Sequence, residues 1–135
     1  TNWTGNPGTV TNIRGVPNYR LTSYLTYSND TIAMTLSSRY IPKARLDNTK
    51  IGPEDAGYSP DLANSITTNR ISSRFYLDLS GSYKFKIDGG TEAELYGLVT
   101  NLLDKSPPAT LRIYGNPLYF DPIGRSFKVG LRIRR

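Results

Sequence analysis

Residues 74–87 read RFYLDLSGSYKFKI, and this stretch decides the fold. Apolar and polar residues alternate along it, which places two chemically different faces on one β-strand. The stretch is 14 residues long, whereas strands of soluble proteins usually have about five or six. A strand of this length can cross a bilayer at a tilt and still protrude. One face collects the apolar residues Phe75, Leu77, Leu79, Tyr83 and Phe85.

Four further stretches predict strands. Residues 19–28 and 31–41 also alternate and are joined by a short turn, so they predict a hairpin. Residues 91–101 predict another strand. Its apolar residues occupy both odd and even positions, so the sequence does not show which residues share a face. The last strand is predicted at residues 125–134, where one face carries Phe127, Val129, Leu131 and Ile133.

The connections between these strands alternate between short and long. Tight turns are predicted at residues 29–30 and 88–90, and long connections at residues 42–72 and 102–124. Short turns on one side and long loops on the other are typical of outer-membrane barrels. The sequence therefore predicts an all-β chain of about five antiparallel transmembrane barrel strands. Because the smallest single-chain barrel has about eight strands, three alternatives stay open: the chain is a piece of something larger, several copies assemble, or the strands do not cross a membrane.

Composition excludes several classes of function. The net charge is +6, but the basic residues are spread along the strands instead of clustering, so we expect no nucleic-acid partner. The chain has no Cys and no His, which removes thiolate chemistry, the commonest metal ligand and the commonest general base. No catalytic constellation, metal site or cofactor site is indicated, and we do not expect an enzyme. No stretch approaches the about 20 apolar residues of a transmembrane helix.

Three strings resemble the C-terminal barrel segment of TonB-dependent outer-membrane receptors. Residues 101–108, NLLDKSPP, resemble the N-L-F-D-K-x-P-P stretch that closes the penultimate strand of that family, with Leu103 in place of Phe. Residues 119–125, YFDPIGR, are similar to the Y-D-x-x-G-R that opens its last strand. Residues 76–85, YLDLSGSYKF, resemble the strand before. The three occur in the order and at the spacing of the family.

The resemblance implies a 22-stranded transporter in the cell outer membrane of a Gram-negative bacterium, with a plug domain in its lumen. Such receptors take up scarce nutrients, and ferric siderophores, cobalamin, saccharides and metals all remain open as cargo. The implied partners are outer-membrane lipid, the remainder of the barrel, the plug domain, TonB in the full-length protein and, through the last strand, the barrel-assembly machinery. On this reading residues 18–134 are barrel strands and loops, residues 1–17 a partial loop, and the plug is absent. The family usually ends in an aromatic residue, whereas this sequence ends in Arg134-Arg135.

The resemblance also assigns the two faces of the strands. The apolar side chains would face lipid: Phe75, Leu77, Leu79, Tyr83, Phe85, Phe127, Val129, Leu131 and Ile133. Lumen-facing charges could contact an anionic ligand, although solvating the lumen or pairing with the plug is the favoured interpretation. These are Arg20, Arg39, Arg74, Asp78, Lys84, Lys128 and Arg132, together with Lys86 and Arg134.

Other candidate sites have structural interpretations. The carboxylates of Asp47, Glu54, Asp55 and Asp61 could gather calcium, but their spacing fits no known metal loop and favours turn chemistry. The aromatic residues Tyr58, Tyr114, Tyr119 and Phe120 could stack on a ligand, and for Tyr119 and Phe120 we expect an interfacial girdle.

The alternative to a transporter is a small soluble β-sheet module that binds carbohydrate or another surface. It would have to cover the apolar face with a second sheet from the same chain. Asp104-Lys105 resembles an acid–base pair only superficially, because it precedes Pro107-Pro108, where a strand must end.

Overall fold

The computed structural model describes residues 18–109 and 120–134. Its regular elements are seven strands and one 3-10 turn. The strands are β1 (Leu21–Ser28), β2 (Ile32–Ile41), β3 (Ala44–Arg45), β4 (Arg70–Ile71), β5 (Arg74–Ile87), β6 (Thr91–Thr100) and β7 (Ser126–Arg134). The expected all-β class is confirmed.

Five of the strands form one antiparallel sheet in the order β1-β2-β5-β6-β7. These are the five predicted strands, and their observed bounds differ from the predicted ones by no more than two residues. Strand β5 has the full 14 residues expected. The remaining two strands, β3 and β4, pair with each other inside the connection between β2 and β5.

Both tight turns have local causes. The side chain of Asn29 accepts hydrogen bonds from the backbone N–H groups of Thr31 (2.9 Å) and Ile32 (2.7 Å), which closes the hairpin between β1 and β2. Between β5 and β6 lies the 3-10 turn Asp88–Gly90. Gly89 and Gly90 have φ values of 81° and 80°, a region that residues with a Cβ rarely adopt. Glycine therefore permits the chain to reverse here.

The chain divides into two compact units. The loop unit consists of the described residues of Thr1–Leu21, Tyr40–Arg74 and Ser106–Pro122. The sheet unit consists of the described residues of Thr22–Arg39, Phe75–Lys105 and Ile123–Arg135. The alternation of apolar and polar residues in the sequence does not indicate this division.

The loop unit has its own small interior. Asn69 is buried at its centre: its side-chain N–H groups donate to the carbonyls of Asp47 (3.0 Å) and Lys50 (2.8 Å), and its Oδ1 accepts from the N–H of Asp47 (2.9 Å). A fully hydrogen-bonded buried amide fixes the loop without the cost of an unpaired polar group. The buried apolar residues of the unit include Ile41, Pro42, Leu46, Ile71, Pro108 and Phe120.

Two features of the loop unit differ from what the sequence predicts. The long connection after β2 contains the strand pair β3–β4, with Ala44 opposite Ile71, where the sequence shows no clear strand pattern. Phe120 is only 4% exposed, so its assignment to an exposed aromatic girdle is wrong. The residue packs in the interior because it is held in the loop unit and not at the surface of a strand. Tyr114 and Tyr119 lie outside the described residues.

Candidate functional site: the charged face of the sheet

The register of β5, β6 and β7 defines the two faces of the sheet unit. In an antiparallel pair, residues directly opposite each other project from the same face. Val99 lies opposite both Leu79 and Phe127, and Leu95 lies opposite both Tyr83 and Leu131. The apolar residues of the three strands therefore lie on the same face of the sheet, which we call the apolar face. The other is the charged face.

The register also assigns the faces of β6, which the sequence left open. Ala93, Leu95, Gly97 and Val99 belong to the apolar face. Glu92, Glu94, Tyr96 and Leu98 belong to the charged face. These four residues are not among the predicted site residues, because Leu98 on the charged face lies beside Val99 on the apolar face and obscures the alternation. The alternating charges of the neighbouring strands were the signal that could have found the two glutamates.

Charges on the charged face form two rows across the three strands. In the first row Glu94 lies between Lys84 and Arg132. In the second row Glu92 lies between Lys86 and Arg134. Both rows therefore have a cation, an anion and a cation in strand order. Opposite charges in directly paired positions stabilise a sheet by about 0.2–1 kcal/mol each.

One ion pair in these rows is closed. The Nη1 of Arg132 donates to Oε2 of Glu94 at 2.9 Å. Both side chains are partly exposed to solvent, at 54% and 22%, so the pair contributes only modestly to stability. Its geometry nevertheless holds the guanidinium over the sheet. The rows line an open concavity near the tight turns, whose rim includes Asp30 and Thr31.

Tyr96 connects the first row to the edge strand. Its ring covers Gly130, the residue directly opposite on β7, and a Cβ added at Gly130 would overlap the ring. The Cζ of Arg132 lies 5.8 Å from the centroid of the same ring, within the range of a cation–π interaction. Gly130 therefore allows an aromatic side chain to pack flat on the charged face.

A second cluster lies further along β5. The Cζ of Arg39 is 5.0 Å from the centroid of the Tyr76 ring, and Tyr76 is almost completely buried. The Nε of Arg39 is buried and has no hydrogen-bond acceptor among the described residues, so the Tyr76 ring is a close contact of this cation. Asp78 accepts a hydrogen bond from the backbone N–H of Asn101 at 2.7 Å. Asp78 thus supports the end of β6.

The predicted lumen-facing residues belong to both units. Lys84, Lys128 and Arg132 lie on the charged face of β5 and β7, whereas Arg39 and Asp78 belong to the second cluster of the same unit. Arg20 and Arg74 belong to the loop unit. Arg20 is exposed. Arg74 donates hydrogen bonds to the backbone carbonyls of Ser106 (2.7 Å) and Ser73 (3.0 Å). Its guanidinium therefore has a structural role, because it binds the backbone of the loop unit.

The two strings that flank the long connection after β6 contact each other. Asn101 has a φ of 50° and its side chain bonds both ways with the backbone of Lys105. Asp104 then accepts from the N–H of Arg125 at 3.1 Å. The guanidinium of Arg125 lies 3.9 Å from the same carboxylate. These residues close β6 and open β7, so Asp104 and Lys105 have a structural explanation.

Two acidic residues of the loop unit, Asp47 and Asp55, take part in turn chemistry. Asp47 accepts from the N–H and hydroxyl of Thr49 at 2.8 and 2.7 Å. Asp55 accepts from the N–H of Gly52 and from both Nη atoms of Arg45. The Gly52 hydrogen bond, with Arg45, holds the pKa of Asp55 below its ordinary value. Among residues 18–109 and 120–134, no three His, Cys, Asp or Glu residues could share a metal ion.

The apolar face is exposed in this chain. Tyr83 and Phe85 stack on each other with ring centroids 6.0 Å apart. On β7, Phe127 and Val129 are 67% and 77% exposed, and Leu131 and Ile133 are 55% and 59% exposed. All nine residues predicted to face lipid lie on strand β5 or β7 as expected: Phe75, Leu77, Leu79, Tyr83, Phe85, Phe127, Val129, Leu131 and Ile133.

Comparison with known proteins found no matching family model, no similar curated protein and no similar solved structure. Within the described part of the chain, no helix has the length and apolar character needed to span a membrane.

Proposed function

We propose that this chain forms part of the barrel wall of a TonB-dependent transporter in the outer membrane of a Gram-negative bacterium. The full-length protein would import a scarce nutrient such as a ferric siderophore, cobalamin or a saccharide. The observation that carries the proposal is the sheet unit, whose apolar face is exposed along β7 and at Tyr83 and Leu95 of the neighbouring strands, while its other face is charged.

Exposure of the apolar face supports a lipid environment. Burying a Val, Leu, Ile or Phe side chain contributes about 1.5–3 kcal/mol, and β7 alone leaves four such side chains more than half exposed. A continuous apolar surface of this kind on a folded protein indicates that something covers it. A soluble binding module would cover it with a second sheet, whereas in a barrel wall lipid covers it.

The charged face supports the opposite, aqueous side of a barrel wall. Its ion pair between Arg132 and Glu94 is partly solvated, as expected for a lumen that holds water and a plug domain. The contact between the NLLDKSPP and YFDPIGR strings gives the resemblance a physical basis, because these residues define where one strand ends and the next begins.

The edges of the sheet support membership of a larger wall. Strands β1 and β7 stand at the two ends of the strand order. In a bilayer, every backbone N–H and C=O group of a spanning strand needs a partner. Further barrel strands beside β1 and β7 would supply those partners.

The first experiment is circular dichroism with size-exclusion chromatography of the purified chain, in plain buffer and in detergent micelles. We expect aggregation in buffer and β-structure in micelles. A soluble monomer with a cooperative melt in plain buffer would overturn the proposal and favour the soluble module.

Single-cysteine labelling then tests which face meets lipid. The natural chain has no cysteine, so Val129→Cys and Lys128→Cys each introduce a single thiol, on opposite faces of the same strand. In liposomes, we expect a charged, water-soluble maleimide to label the cysteine at position 128 and to leave the one at position 129 unlabelled. Equal labelling at the two positions would contradict the assignment of faces.

A further inference from the structure

The outer side of β7 has no strand beside it in the described part of the chain. Strand β7 ends the strand order, and its only neighbour there is β6. In an antiparallel strand, alternate residues direct their N–H and C=O groups to each side. The outward half of these groups is open to an extended chain, which is the geometry of β-strand addition.

The charged face of this edge strand carries cations and no acid. Lys128, Arg132 and Arg134 project from it. Arg132 is already ion-paired with Glu94 on β6. Lys128 lies opposite Leu98, and Arg134 lies opposite Glu92 without closing an ion pair; among the described residues neither Lys128 nor Arg134 has an ion-pair partner. Two cations at the edge are therefore not held in an ion pair within the described part of the sheet, and Lys128 has no acid directly opposite it.

In the interior of the same sheet, cations lie opposite glutamates of the neighbouring strand. Strand β6 places Glu94 and Glu92 between the cations of β5 and those of β7. Charge thus alternates from strand to strand, positive on β5, negative on β6 and positive on β7. Like charges in directly opposite positions destabilise a sheet, so the next position in this alternation is negative.

We infer that the open edge of β7 takes an antiparallel strand with acidic side chains opposite Lys128 and Arg134 and apolar side chains opposite Phe127, Val129, Leu131 and Ile133. The charge preference follows from the sheet alone. The identity of the strand rests on the proposed function, because within the proposed barrel it is the neighbouring strand of the wall.

A pair of synthetic peptides tests the inference on the full chain in detergent micelles. Both have nine residues, to match β7, and alternate Val with Thr. In one, Glu replaces Thr at the two positions that face Lys128 and Arg134; in the other, Lys replaces it. Fluorescence anisotropy at low ionic strength measures the affinities. We expect the Glu peptide to bind about tenfold more tightly, because each exposed ion pair contributes modestly and salt screens it.

Substitutions test whether the preference for the Glu peptide arises from the cations of β7. The double variant Lys128→Gln with Arg134→Gln should bind both peptides equally, and Lys128→Glu with Arg134→Glu should prefer the Lys peptide. The matched control is Lys84→Gln with Lys86→Gln, which removes the same charge from the same face of the interior strand β5. This control should keep the preference of the natural chain.

Equal affinity of the natural chain for the two peptides would overturn the inference. So would a preference that disappears in the β5 control and survives the β7 substitution. Circular dichroism of the same samples separates the two proposals: β-structure in micelles without a charge preference removes only the inference about the edge. If the chain forms its sheet in plain buffer instead, the membrane proposal fails, and the same titration in buffer decides the edge preference.

Discussion

The loop unit and the sheet unit handle their apolar side chains in opposite ways. Ile71 in the loop unit has no exposed surface, whereas Ile133 in the sheet unit is 59% exposed. The loop unit also saturates its buried amide, Asn69, with backbone hydrogen bonds. Among the described residues, the loop unit therefore buries a small apolar interior, whereas the sheet unit leaves the apolar side chains of β7 exposed. In the proposed barrel wall, lipid would cover that apolar face.

The largest expected effect comes from shortening a buried side chain in the interior of the loop unit. Ile71→Ala should lower the free energy of unfolding by about 2–5 kcal/mol, because it removes buried methyl groups and leaves a cavity. The readout is hydrogen exchange of the Leu46 N–H, which bonds to the carbonyl of Asn69 at 2.7 Å.

The matched control for this substitution is Ile133→Ala, the same chemical change at an exposed site of the sheet unit. In aqueous medium it should cost less than about 1 kcal/mol, since the side chain is more than half exposed. Equal losses from the two substitutions would remove the contrast between the units.

A charge on the apolar face should have an effect that depends on the medium. Leu131→Arg should lower the free energy of unfolding by about 2–4 kcal/mol in a bilayer near its midplane. Where water covers the face, the same substitution should change the free energy of unfolding by less than about 0.5 kcal/mol. Urea unfolding in liposomes, followed by circular dichroism, measures the difference.

Ser82→Arg adds the same charge at a similar height on the charged face, where Ser82 lies opposite Tyr96. It should be tolerated in liposomes much better than Leu131→Arg. If both substitutions are equally harmful there, the apolar face does not meet lipid.

The smallest effect concerns pH and the loop unit. The Gly52 N–H and the Arg45 guanidinium stabilise the ionised form of Asp55 and hold its pKa below the ordinary value of 3.8. Because the pKa is lower in the folded state, this stabilisation is fully present above the unfolded pKa and is lost as pH falls through the folded one. Proton NMR should show the Gly52 amide resonance shifting as pH drops below 3.8.

Asp55→Asn is the control for this titration, since its side chain keeps an acceptor oxygen but does not ionise. Its Gly52 resonance should show no transition over the same pH range. A transition of equal size in the variant would assign the titration to another group.

Sequence alone predicted the sheet well and the loop unit poorly, for physical reasons. Alternation with period two is a strong signal where one face is apolar and the other polar, as in β5 and β7, and the bounds of these strands were predicted almost to the residue. In β6, Leu98 on the charged face lies next to Val99 on the apolar face. Only the register with its neighbours resolves that ambiguity, and register is a non-local property.

The loop unit depends on contacts that leave no local pattern. The hydrogen bonds of Asn69 join it to Asp47 and Lys50, which lie 22 and 19 residues earlier in the sequence. The strands β3 and β4 have only two residues each, too few to show an alternation. Among the candidate site residues, the cations were visible in the sequence, whereas their partners Glu92 and Glu94 became clear only once β6 was aligned.

The number of strands in the main sheet restricts how it can be completed. Five strands that alternate in direction leave β1 and β7 pointing the same way. A wall that alternates throughout therefore needs an odd number of additional strands between these two edges. Identical copies arranged side by side around an axis would bring β7 of one next to β1 of another in parallel, so a ring made of this sheet alone breaks the alternation at every junction.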